Sequence, residues 1–90
     1  MVQESFKADF SKIRKILDKL EKKDPNLFEA TMKKITQITR LSYADIGHFK
    51  NLRYGLKYYR RAHVGSFVLL FRLEGNVLYF DRFEHHDDAY

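Results

Sequence analysis

The chain has no cysteine, which excludes a disulfide framework, thiolate metal sites and a thiol nucleophile. It has no apolar run near the ~20 residues that a membrane-spanning helix needs, and its first residues lack the apolar core of a secretory signal. A soluble, cytoplasmic protein with no membrane partner is therefore expected. Proline and glycine are scarce, one and four residues, so each marks a turn or a cap and not a flexible linker. Hydrolase elbows, glycine-rich phosphate loops and catalytic carboxylate pairs are also missing. Acidic residues are absent from one stretch in particular. Between Ile46 and Leu73 the basic residues Lys50, Arg53, Lys57, Arg60, Arg61 and Arg72 occur without a single Asp or Glu.

What is present belongs to one folded domain spanning 1–90. Ninety residues suffice for one modest core, and 44% hydrophobic residues with 16% aromatics are enough to build it. The net charge of +5 favours a polyanionic partner. After Leu73 the sign reverses, with Glu74, Asp81, Glu84, Asp87 and Asp88 against Arg82. The positive charge is thus concentrated in the middle of the chain.

Two helices are expected first. Over 9–23 Phe10, Ile13, Ile16, Leu17 and Leu20 recur at three- and four-residue spacing, the pattern of one buried helix face. Asp24-Pro25 then supplies an N-cap and a first-turn proline for a second helix over 25–39. Its buried stripe should be Phe28, Met32, Ile35 and Ile38, with Leu27 and Thr31 at the edge. A short strand over 2–6 precedes the pair on the alternation of Val2, Glu4 and Phe6. From 40 to 56 neither period holds, and a connection anchored by Tyr43, Phe49, Leu52 and Tyr54 is expected, in which His48 caps or packs.

Three strands should follow, over 57–64, 66–73 and 77–83, turning at Gly65 and at Glu74-Gly75-Asn76. Short connections make them antiparallel neighbours. The fold class is α+β, an N-terminal helical hairpin packed on a C-terminal antiparallel sheet. Alternation places Tyr58, Ala62 and Val64 with Phe67, Leu69, Phe71 and Leu73 toward the helices, Arg60 escaping at the edge. Tyr59, Arg61, His63, Val68, Leu70 and Arg72 are left on an open face suited to phosphate and base contacts. His85 and His86 precede Asp87 and Asp88, but neighbours on an extended chain point oppositely, so no metal site is expected.

The run Tyr59-Arg-Arg61-Ala-His63-Val-Gly65-Ser-Phe67, a hairpin strand, and the closing His85-His86-Asp-Asp-Ala-Tyr90 resemble the RelE/ParE superfamily of toxins from toxin–antitoxin pairs. The usual pattern there is a Tyr-x-Arg-x-Arg-Val-Gly-Asp-Tyr-Arg strand pair and a His-Arg-x-x-x-Tyr tail, after a helical hairpin. The resemblance implies a RelE-like endoribonuclease that cleaves messenger RNA, typically on the ribosome, needs no cofactor, and is neutralised by a cognate antitoxin. Such cleavage requires a base for the ribose 2′-hydroxyl, positive charge on the phosphorane and an acid for the leaving oxygen. Carried over residue by residue, the resemblance implies catalytic roles for Arg61, His63, His85 and Tyr90. Lys50, Arg53, Lys57, Tyr59, Arg60, Arg72 and His86 are the expected nucleic-acid contacts.

Two positions depart from the pattern. Val68 stands where ribonuclease members carry an arginine, and His86 where the tail often has one. Either Arg61, with Arg60 or Arg72, supplies the charge while histidines move protons, or the chain is a ParE-like gyrase poison or a non-catalytic nucleic-acid-binding module of the same fold.

Overall fold

The computed structural model describes residues 6–49, 51–54 and 57–89. The strand expected over 2–6 falls outside them apart from Phe6, as do Lys50 and Tyr90. The elements run β1 (Lys7–Asp9), a 3-10 turn (Ser11–Ile13), α1 (Arg14–Lys23), α2 (Pro25–Thr39), α3 (Tyr43–Ile46), β2 (Asn51–Tyr54), β3 (Lys57–Val64), β4 (Phe67–Glu74), β5 (Val77–His85) and α4 (His86–Ala89). No helix among the described residues is long and apolar enough to cross a membrane.

The helical hairpin forms for the reasons its sequence gives. Asp9 Oδ1 accepts from the backbone N–H of Ser11 at 3.0 Å and from its hydroxyl at 2.7 Å, which turns the chain out of β1. Those two hydrogen bonds hold the Asp9 carboxyl below its ordinary range. Asp24 Oδ1 accepts from Leu27 N–H at 3.2 Å and Pro25 fills the first helical position, so α2 spans the expected residues. Its buried stripe is rotated from expectation. Thr31, Ile35 and Ile38 are buried while Phe28 and Met32 are half-covered. Thr31 tolerates the centre of the stripe because its hydroxyl donates to the Leu27 carbonyl at 2.7 Å. Ile16 is 43% exposed, one step around the helix from Ile13 and Leu17.

The sheet has five strands in the order β1-β5-β4-β3-β2. The pairs β5-β4, β4-β3 and β3-β2 are antiparallel, and β1 runs parallel to β5 with Lys7 opposite Val77. The sheet is therefore mixed at one edge, where an all-antiparallel one was expected. Gly65 and Gly75 have φ of 58° and 61° and every non-glycine residue described has negative φ. These are the φ signs of type II′ hairpin turns, glycine first.

The region over 40–56, expected to lack regular structure, holds two short elements. Ser42 Oγ accepts from Asp45 N–H at 3.1 Å and starts α3. β2 pairs Asn51 with Arg60 through to Tyr54 with Lys57. Because β2 covers only 57–60, residues 61–64 of β3 have no neighbour from it.

One core lies between helices and sheet, from Ile13, Leu17, Ile35, Ile38 and Ile46 to Ala62, Val64, Leu69, Phe71, Leu78, Phe80 and Phe83. Phe80 and Phe83 share this face although they are an odd number of positions apart, because the β4–β5 ladder shifts register between Leu70/Arg82 and Phe71/Phe80. Asp81 is the extra, bulged residue. Tyr59, Val68 and Leu70 form a second, smaller buried cluster on the other face. Tyr58, expected in the helix-facing core, is 65% exposed. It stands opposite Arg53 of the edge strand β2, and the helix-facing core takes up β3 only at Ala62 and Val64.

Candidate functional site

Strand register sets out the face opposite the helices in rows. His63, Val68 and Glu84 lie across one another, as do Arg61, Leu70 and Arg82. Val68 and Leu70 are fully buried, so they make an apolar floor flanked by charged side chains. Val68, one of the two departures from the resembled pattern, is thus a packing position in this chain.

One end of the face is tied up internally, where Tyr59 and Arg72, two of the expected nucleic-acid contacts, are both engaged by Asp81. The bulge brings Asp81 onto this face with only 5% of its side chain exposed. Tyr59 donates its hydroxyl to Asp81 Oδ2 at 2.8 Å and Arg72 donates Nε to the same oxygen at 2.9 Å. Lys12 Nζ approaches it at 3.7 Å. Arg72 also pairs with Glu74, and its guanidinium lies 4.3 Å from the Tyr79 ring centroid. Burial by itself would raise the Asp81 carboxyl, but the bonds from Arg72 and Tyr59 and the nearby cations outweigh it and hold it low. Burial and the bond to Asp81 push the Tyr59 phenol up. The bond to Asp81 likewise raises Arg72.

The other end gathers histidines around an arginine. A cleft of about 460 Å³ is lined by Arg61, His63, His86 and Asp87. The imidazoles of His63 and His86 are stacked with centroids 5.8 Å apart. The tail reaches this position because the His86 N–H donates to the Ser66 carbonyl at 2.8 Å, fastening α4 to the β3–β4 turn. A second cleft, lined by Lys34, His48, Phe49, Arg61, Ala62 and His63, shares Arg61 and His63 with the first. It opens where β2 leaves β3 uncovered.

The expected site residues therefore separate. Arg61, His63 and His86 are together. His85 is turned the other way, its ring edge-on to Phe67 at 5.4 Å and its Nδ1 accepting from the Asp87 N–H at 3.3 Å. Alternation along β5 requires this: His85 pairs with the helix-facing Phe67, so the next residue points to the opposite side. Arg60 lies on the helix-facing side, donating Nη1 to the carbonyls of Phe49 at 2.9 Å and Gly47 at 3.4 Å. Lys57 and Arg53 sit on β3 and β2, at the end of the β2–β3 ladder away from Arg61.

Three residues at the site were given no catalytic role by the sequence. His48 reaches it through the path of the loop after α3, which has no periodic signature. Arg82 and Glu84 are readable only as alternate residues on β5. Arg82 Nε donates to Glu84 Oε1 at 2.8 Å, and Glu84 Oε2 is buried with no hydrogen-bond partner among the described residues. No cluster of histidines and acids suited to a metal ion occurs among those residues.

A helical hairpin on one face of a five-stranded mixed sheet, with arginine and imidazoles gathered around a cleft on the other, defines a small basic α+β protein. No protein-family model matches the chain. It is 41% identical over 80 residues to RelE4, a candidate toxin of Methanocaldococcus jannaschii, covering 84% of this chain and 80% of that protein. Among solved structures it is similar to YafQ from Escherichia coli strain BL21(DE3), with a TM-score of 0.53 and 26% identity over 98% of this chain and 99% of that one. The chain belongs to the RelE family of toxins.

Proposed function

We propose that this toxin is an endoribonuclease that cleaves messenger RNA, on the ribosome, and that a cognate antitoxin silences it by covering or distorting the face that carries Arg61. The observation that carries the reading is the meeting of Arg61, His63 and His86 around one cleft. In the proposed step, one imidazole takes the proton of the ribose 2′-hydroxyl as that oxygen attacks phosphorus. Arg61 binds the phosphorane oxygens as their charge grows. The other imidazole gives a proton to the departing 5′-oxygen, so the products are a 2′,3′-cyclic phosphate and a 5′-hydroxyl. Histidine suits both tasks because its ordinary titration range spans neutral pH.

The position of His48 on the adjoining cleft makes it a third proton carrier in reach of the same strand, and His86 replaces His85 as the tail histidine of choice. The test is to express the chain under tight control, map new messenger ends, and repeat with Arg61→Ala, His63→Ala, His86→Ala and His85→Ala. Cleavage should fall by about 10²-fold or more in the first three and stay near wild type in the fourth. Growth arrest with intact messenger and trapped DNA breaks would replace this reading with that of a gyrase poison.

A further inference from the structure

We propose that Tyr43 and Tyr58 form a second RNA-contact site, a cleft that stacks an unpaired nucleobase, on the sheet face opposite His63 and His86. The inference rests on the reading of the chain as an RNA-binding toxin. A cleft of about 350 Å³ lies between α3 and β3, lined by Tyr43, Ile46, Tyr58, Arg60 and Leu73 among others. Tyr43 and Tyr58 are 64% and 65% exposed and, with Ile16, are the large apolar side chains most given to solvent among the described residues.

Tyr43 is exposed and yet held. Its hydroxyl donates to the Gly75 carbonyl at 3.1 Å, its ring meets Phe6 edge to face at 4.9 Å, and it stands on a helix that Ser42 caps. A ring fixed before binding loses little rotamer freedom on binding. Arg60 is held at the wall by the carbonyls of Phe49 and Gly47, and no acidic side chain lines the cleft. Flat aromatic surfaces beside a guanidinium, with no negative charge to repel phosphate, match the unpaired bases of a single RNA strand.

The placement also gives the two sites a relation. Gly47 lines the tyrosine cleft, and His48 and Phe49 line the cleft that shares Arg61 and His63 with the histidine site, so one strand following this loop past the uncovered end of β3 meets both. A short RNA fills the histidine cleft alone, and a longer one gains the tyrosines.

The probes are fluorescein-labelled 2′-O-methyl oligoribonucleotides of about 4 and about 12 nucleotides, which lack the nucleophile and stay intact. In anisotropy titrations Tyr58→Ala and Tyr43→Ala should each weaken binding of the longer probe about tenfold and leave the shorter unchanged, while Tyr58→Phe should restore it. The chain has no tryptophan, so tyrosine emission is directly readable, and the longer probe should quench it less in Tyr58→Ala. Unchanged affinity of the alanine variants for the longer probe, with Arg61→Ala still weakening it, overturns the proposal and leaves the toxin reading standing. A wild-type protein that binds neither probe overturns both. Altered self-association of Tyr58→Ala in sedimentation, with RNA affinity kept, assigns the cleft to a second copy of the chain instead.

Discussion

Asp81 has two donors, Tyr59 and Arg72, around one nearly buried carboxylate, with the Lys12 ammonium 3.7 Å away, and removing either donor leaves charge that the sheet cannot solvate. Arg72→Met should cost about 3 kcal/mol in chemical denaturation, because Asp81 then keeps only Tyr59 and the exposed Lys12. RNA affinity per folded molecule should not change, which separates a structural arginine from a phosphate ligand. The pH dependence has a definite sign. Asp81 is held below its ordinary range when folded, so its contribution is complete above the unfolded carboxylate value near 4 and is lost as pH falls through the lower folded value. Thermal melts of Asp81→Asn should show less acid destabilisation below about pH 4 than the wild type. A steeper acid limb in the variant would contradict the assignment.

At the scale of elements, strength of local signal decided what the sequence disclosed. α2 was legible to the residue because Asp24 and Pro25 define its start, and the hairpin turns because Gly65 and Gly75 must take positive φ. The four-residue α3 and β2 were not, since neither is long enough to show a period and β2 depends on pairing with β3. The bulge at Asp81 was hidden for a related reason: it exists only as a mismatch between two strands. The two glycine turns should differ in consequence. A Cβ at Gly75 would meet nothing within 4 Å, and one at Gly65 only Leu27 at 4.0 Å, so each alanine variant should cost about 1–2 kcal/mol from backbone strain alone. Only Gly65→Ala should also slow cleavage, because Ser66 of that turn holds His86. Equal activity of the two variants would mean that the tail does not depend on the turn.

The whole molecule has a large core and a small one, and the sequence described the first better than the second. Phe10, Ile13, Leu17, Leu20, Phe28, Met32, Ile35, Phe67, Leu69 and Phe71 all fall in or against the helix-facing core, since amphipathic faces in a short chain have only each other to cover. The opposite face was read as open, although Tyr59, Val68 and Leu70 close over part of it. That outcome depended on Asp81, Arg82 and Glu84 arriving from β5. Leu69→Ala should cost about 3 kcal/mol. Leu70→Ala, in the smaller cluster that can collapse more readily, should cost less while disturbing Arg61 and Arg82 in its row, as denaturation and cleavage assays together would show.

The parallel pairing of β1 with β5 has a consequence in time. Lys7 finds Val77 across nearly the whole chain, so this contact carries a long loop closure and belongs late in folding. During translation the early helices emerge with an apolar face and no sheet to cover it, and the cleft residues on β3 wait for β4 and for the tail that follows β5. A half-made chain therefore has neither its closed sheet nor the pairing of His63 with His86. The cleft that carries Arg61, His63 and His86 is therefore completed only after β5 and the tail have emerged, so whatever chemistry it performs is withheld from the chain until its synthesis is nearly finished.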